Sequence, residues 1–300
     1  MRALLIVNAD DFGISEGVNR GIVEAHSGGI LTSTTVMANM PAFDHAAQLK
    51  REHPTLAVGV HLNLTAGAPL LPLSKVPDLV DREGRFLRGG RLLMGLTLGR
   101  IDRRQAEAEL SAQVERAVRA GFSPDHLDSH HHVHCHPALQ PVVVRLARRY
   151  GIGAVRCPVE LSPVQAIRRV GMLGARSGRR QFEESPRTAY LKAVGLSGLG
   201  RLLRLRARRA GLATPDHFRG LALGMGFSTG ELQQLLRRLP AGTAELMCHP
   251  GYPDRDLAAL TSYGAGRDSE LAALLDPANR LLLLQTGATL GSYSDLSRRL

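Results

Sequence analysis

Short apolar runs that end in polar or acidic residues recur along this chain, separated by longer amphipathic stretches. Residues 3–7 lead straight into Asn8-Ala9-Asp10-Asp11, and residues 32–38 and 56–64 are further runs of strand length. Ser15 is placed to cap a helix that stops at Gly28-Gly29. Residues 103–120 put Ala106, Leu110, Val114, Ala117 and Val118 on one stripe before Gly121, the pattern of an amphipathic helix. Residues 126–132 read as the next strand, and Pro137 opens a helix through Arg149. A short strand at 154–157 precedes a basic stretch, after which residues 221–225 read as a strand. Ser228 with Glu231 forms a capping box for a helix to Leu239, and residues 244–248 are another strand. A last helix opens at Asp276-Pro277, and residues 288–293 would close the sheet.

Seven or eight strands alternating with helices predict one α/β domain over residues 1–300. The expected fold is a TIM-barrel-like (β/α) barrel, complete or one strand short, with a basic helical insertion at residues 161–215. The net charge of +11 changes the picture only locally, because residues 160–215 hold twelve Lys/Arg against three acids. The rest of the chain is close to neutral, and aromatics are 4% of residues with no Trp, so a specific nucleic-acid partner is not expected. Cys135, Cys157 and Cys248 form no CxxC pair, and the opening residues lack the length of a signal peptide, so a cytoplasmic location is expected.

The chemistry sits where strands end. In addition to Asp10-Asp11, the runs deliver Gly59-Val60-His61-Leu62, then His126-Leu127-Asp128-Ser129-His130-His131-His132, and then Met247-Cys248-His249-Pro250-Gly251. Strand alternation places His126, Asp128, His130 and His132 on one face. Two or three imidazole or carboxylate ligands plus an open position make a hydrolytic metal site, and Asp11, His61 and His130 supply such a set. Asp128, His132 and Arg156 are expected around it as orienting or substrate-contacting groups. Asp10 is the candidate general base, and His249 is the candidate acid, a protonated imidazole facing the departing nitrogen. One divalent ion is implied, with magnesium or zinc foremost. Each feature also has an ordinary counterpart: a helix-capping Asp pair, a half-buried His61, an adventitious histidine tract at 126–136. The readings from other classes are a metal-storage protein, whose histidines would need display on the surface whereas His61 and His130 lie inside apolar strands, and a nucleic-acid binder acting through the Arg-rich insertion with salt-sensitive affinity.

Five strings in order, residues 5–13, 28–35, 59–62, 126–134 and 245–251, resemble the YdjC-like carbohydrate deacetylases, the group that contains chitooligosaccharide deacetylase. The resemblance covers residues 1–157 and 215–295. It implies a TIM-barrel-like fold that uses a divalent metal to remove acetyl from an N-acetylated amino sugar. It also implies Asp11, His61 and His130 as the metal ligands. The basic stretch at 161–215 is similar to that of the family branch found with hopanoid biosynthesis genes, which implies an N-acetylglucosaminyl glycolipid as substrate. Residues 196–212, where leucines alternate with arginines, would then contact an anionic membrane peripherally. A soluble N-acetyl sugar is the alternative.

Overall fold

The structure, a computed structural model, describes residues 3–160, 186–221, 223, 226–260, 264 and 266–298. In chain order its elements are β1 (Leu4–Phe12), α1 (Glu16–Gly28), β2 (Ser33–Val36), α2 (Phe43–Glu52) and β3 (Ala57–Leu62). Next come α3 (Gly89–Thr97), α4 (Arg103–Arg119), β4 (His126–Ser129), α5 (Gln140–Arg149) and β5 (Ala154–Val155). After these lie α6 (Pro186–Arg209), β6 (His217–Arg219), α7 (Thr229–Leu236), β7 (Thr243–Cys248) and α8 (Arg255–Leu260). The chain finishes with α9 (Arg267–Leu275), α10 (Ala278–Thr286), β8 (Thr289–Gly291) and α11 (Tyr293–Ser297).

All strand pairs are parallel, in the order β5-β4-β3-β2-β1-β7-β6, with β8 paired to the first half of β1. The sheet curls toward closure, for the chain leading into β6 makes one parallel bridge with β5, Ala154 to Ala213. Every residue of β1 is buried, as expected of a central parallel strand covered on both faces. The barrel expectation is met by this curled parallel sheet with its helices.

Two strands fall elsewhere than the pattern predicts. The strand expected at 221–225 is instead His217–Arg219, where Phe218 is buried; Leu221 and Leu223 lie in turns, and residues 222, 224 and 225 are outside the described residues. The strand expected over 126–132 stops at Ser129. A 3-10 turn follows, with His131 and His132 at φ 55° and 53°, so the two-residue alternation does not carry past Ser129. Close packing of β3 on β4 depends on Gly59: a Cβ there would lie 2.5 Å from the His126 ring, which is stacked on Tyr293.

The expected insertion at 161–215 lies outside the described residues as far as 185. Beyond that, α6 packs Leu203 and Ala207 inward and leaves Leu202 and Leu205 exposed. Arg208 on this helix pairs with Asp216 at 3.1 Å. No helix among the described residues is long and apolar enough to cross a membrane.

Candidate functional site

The carboxyl ends of the parallel strands converge on one buried polar cluster, the position where a barrel gathers its chemistry. Asp10 and Asp11 come from β1, His61 from β3, Asp128 from β4, Arg156 from just past β5, and Glu245 and His249 from β7 and the residue after it. Two adjacent aspartates on a regular strand would point to opposite faces. Here a register shift between Ala9 and Phe12, with Asp11 at φ 71°, turns both carboxylates into the cluster. A non-glycine residue in that region stores strain, and such strain collects at functional sites.

Asp11, His61 and His130 are buried, and their ligand atoms lie within 4.8 Å of one another. Asp11 Oδ1 is 3.2 Å from His130 Nδ1 and 3.6 Å from His61 Nε2, yet it has no hydrogen-bond partner among the described residues. His61 Nδ1 faces Asp128 Oδ1 at 2.8 Å, which puts the proton on Nδ1 and turns the Nε2 lone pair toward Asp11. Thr35 donates to Asp128 Oδ2 and steadies that carboxylate. Two buried imidazoles facing an unpartnered carboxylate oxygen form a donor set that fits one divalent cation. The electrostatics agree: burial works against charge on His61, yet Asp128, Asp10 and Asp11 lift it to about 9, so the ion-free ring also takes a proton at Nε2, the position where a bound cation would replace it.

Asp10 is held from the other side. Arg156, fully buried, donates from both terminal nitrogens to its carboxylate at 2.7 and 2.6 Å, and also pairs with Asp128 and Glu245, each at 2.7 Å. Three carboxylates keep this guanidinium charged despite its burial. Asp10 Oδ2 is 4.0 Å from His249 Nε2. Burial pushes His249 down to about 4, against the pull of Asp10 and Asp11, so the ring is neutral in the free site rather than the protonated imidazole that the sequence suggests.

His132 is the expected residue that the structure does not bring in as foreseen. The left-handed turn at 131–132 removes it from the face of His130, and its ring lies edge-on to Phe218 and His134, with Nδ1 lacking a hydrogen-bond partner among the described residues. The turn exposes His131 instead, beside the His130 ring and with Nδ1 3.0 Å from the Thr65 hydroxyl.

Sequence reasoning missed three groups. Glu245 binds Arg156 and the Tyr293 hydroxyl; it stood in a recognised string, but an acid amid an apolar strand carries no sign of its partner. Arg267 Nη2 lies 2.5 Å from Asp11 Oδ2, and both residues are buried. Burial would raise the Asp11 carboxyl, but Arg267, helped by His130 and His61, holds it well below the usual carboxylate range. Glu270 accepts the backbone N–H of His249 at 2.6 Å and of Gly226 at 2.7 Å. Arg267 and Glu270 sit on α9, whose sequence shows no motif.

Fold and site together define a parallel α/β barrel protein with a buried carboxylate–imidazole centre at the carboxyl ends of its strands. Residues 4–285 match the family described as YdjC-like protein, and the chain belongs to that family. It is 40% identical over 291 residues to a carbohydrate deacetylase of Geobacillus stearothermophilus, covering 97% of this chain and 96% of the relative. It is 35% identical to a chitooligosaccharide deacetylase of Klebsiella pneumoniae strain 342, covering 99% and 100%. Among solved structures it resembles one described as a cellobiose-phosphate cleavage protein from Enterococcus faecalis V583, with a TM-score of 0.74, 29% identity and 99% of both chains covered.

Proposed function

We propose that this protein is a metal-dependent carbohydrate N-deacetylase, hydrolysing the acetamido group of an N-acetylated amino sugar to the amine and acetate. The observation that carries the reading is the buried trio Asp11, His61 and His130 converging beside the Arg156-bound carboxylate of Asp10. The names of the Geobacillus and Klebsiella relatives, at near-complete coverage, support the reaction class.

In this reading Asp11 Oδ1, His61 Nε2 and His130 Nδ1 hold one divalent ion, with magnesium or zinc as the leading candidates. When bound, such an ion polarises an acetyl carbonyl and acidifies a water. Asp10, fixed by Arg156, takes the proton from the attacking water as the tetrahedral carbon forms. His249 is neutral in the free site, so the proton that it gives the leaving nitrogen arrives during turnover. Asp10 Oδ2, 4.0 Å from His249 Nε2, is the group placed to relay it. Asp128 keeps the His61 tautomer, and Arg156 also holds Asp128 in place.

A soluble N-acetylated oligosaccharide is the substrate favoured here over the glycolipid of the hopanoid-associated branch. Membrane contact through residues 196–212 needs arginines free for headgroups, but Arg208 is engaged by Asp216 and Thr214, and Arg206 donates to the Pro137 carbonyl. The test is acetate release from N-acetylated chitooligosaccharides and from an N-acetylglucosaminyl lipid, with and without chelator. Chelator-sensitive release from the soluble sugar is expected. No release from any N-acetyl sugar would overturn the reading.

A further inference from the structure

Each member of the Asp10-Asp11 pair has its own buried arginine, and the two arginines are placed differently. Arg156 lies beneath the strand ends, and its charge is matched by Asp10, Asp128 and Glu245. Arg267 comes from outside the sheet, at the start of α9, and meets the other aspartate on the oxygen turned away from the two histidines: Nη2 to Asp11 Oδ2 is 2.5 Å. Asp11 Oδ1 is left facing His61 and His130. The helix that carries Arg267 is tied to the strand ends by its own bonds. Gly251 N–H donates to the Arg267 carbonyl at 3.2 Å, and Glu270, one turn further on, accepts from His249 and Gly226.

Resting on the metal reading above, we propose that Arg267 is a positioning residue for Asp11. By occupying Oδ2 it makes the carboxylate offer a single oxygen, Oδ1, to a divalent ion, and its positive charge weakens the site's hold on that ion. The first half follows from geometry: a carboxylate oxygen that accepts from a buried guanidinium N–H is not available for two-oxygen ligation of an ion. The second follows from Coulomb's law. A unit positive charge across one carboxylate from a dication, both away from water, opposes its binding by about tenfold or more even at a high effective dielectric. A ligand whose charge is shared with Arg267 also donates less to the ion, which leaves the ion a stronger acid toward substrate.

The distinguishing sign is that removing Arg267 tightens ion binding while slowing turnover, whereas loss of a merely structural residue weakens both. Metal-free wild type, Arg267→Gln and Arg267→Lys would be titrated with Co2+ alone, followed by visible absorbance, with melting curves and kcat measured alongside. Arg267→Gln is expected to bind Co2+ about tenfold more tightly, with an altered visible spectrum and a lower kcat at little changed KM. Arg267→Lys, which keeps the charge without the planar fork, is expected to hold Co2+ about as wild type does. A folded Arg267→Gln that binds Co2+ no better than wild type would overturn the inference. Should that variant fail to fold, Arg267→Lys decides: unchanged affinity with reduced kcat supports the inference, and weakened affinity overturns it. Wild type that binds no Co2+ at all would instead sink the metal reading on which the inference stands.

Discussion

Arg156 and Asp10 form a two-point pair, Nη1 to Oδ2 at 2.7 Å and Nη2 to Oδ1 at 2.6 Å, with both residues buried. A carboxylate gripped on both oxygens has one orientation, and here that orientation puts Oδ2 toward His249. Asp10→Asn should keep the fold and the bound ion while losing roughly 100-fold or more in kcat, the scale for a positioned proton acceptor. Elemental analysis beside steady-state kinetics checks both halves. Near wild-type turnover would remove Asp10 from the role of base.

Arg156 is expected to matter for stability as much as for activity. Taking away its guanidinium leaves Asp10, Asp128 and Glu245 buried without their cation, and breaking one side of a buried ion pair costs about 3–5 kcal/mol. Arg156→Met should therefore lower the denaturation midpoint strongly. A loss below about 1 kcal/mol would mean that the cluster relaxes or takes up protons freely.

The metal assignment makes a separate demand. His61→Ala removes a nitrogen 3.6 Å from Asp11 Oδ1 and should abolish most ion binding and activity while leaving a folded protein. Full metal occupancy in that variant, by elemental analysis on purified monodisperse protein, would reject His61 as a ligand.

The strand-end motifs were readable because a parallel sheet forces local regularities: apolar runs of five to seven residues with chemistry at the carboxyl end. Asp10, Asp11, His61, Asp128, His130, Arg156 and His249 all follow that rule, and all lie in the cluster. What was not readable came from two sources. Backbone in left-handed geometry at Asp11, His131 and His132 breaks the two-residue period, so alternation misplaced His132 and could not reveal how both aspartates face inward. The other source is long-range approach. Arg267 is 256 positions from Asp11 and is brought to it by a helix packed against the loop after β7, a relation that no local pattern encodes. The strand at His217–Arg219 was missed because only Phe218 among its three residues is apolar.

Glu270 gives the fold a pH dependence of known sign. Burial, opposed by the N–H groups of His249 and Gly226 and by Arg267, raises its carboxyl to about 7. A folded-state pKa above the unfolded value contributes stability that is fully present below about 4.5 and is lost as pH rises through about 7. Between pH 5 and 7 the loss from this group is roughly 2–3 kcal/mol. Glu270→Gln, which keeps one acceptor and cannot ionise, should have a flatter stability profile across that window, measured by denaturant midpoints. Parallel profiles for the two proteins would show that Glu270 titrates at its ordinary value.

His249 is the group whose role a leaving-group series resolves. An amine is a poor leaving group unless its nitrogen is protonated, whereas an activated acetyl ester departs unaided. With Nε2 4.0 Å from Asp10 and its ring neutral above about pH 4, His249 can serve as the proposed acid only by receiving a proton after substrate binds and passing it on before the carbon–nitrogen bond breaks. His249→Ala should thus lose roughly 100-fold or more on an N-acetyl sugar but less than about tenfold on p-nitrophenyl acetate. Asp10→Asn, lacking the proposed base for water attack on either substrate, should lose comparably on both. The contrast between the two variants separates acid from base without any structural comparison. Equal losses of His249→Ala on ester and amide would assign the ring to binding or packing, and leave protonation of the nitrogen to Asp10 itself.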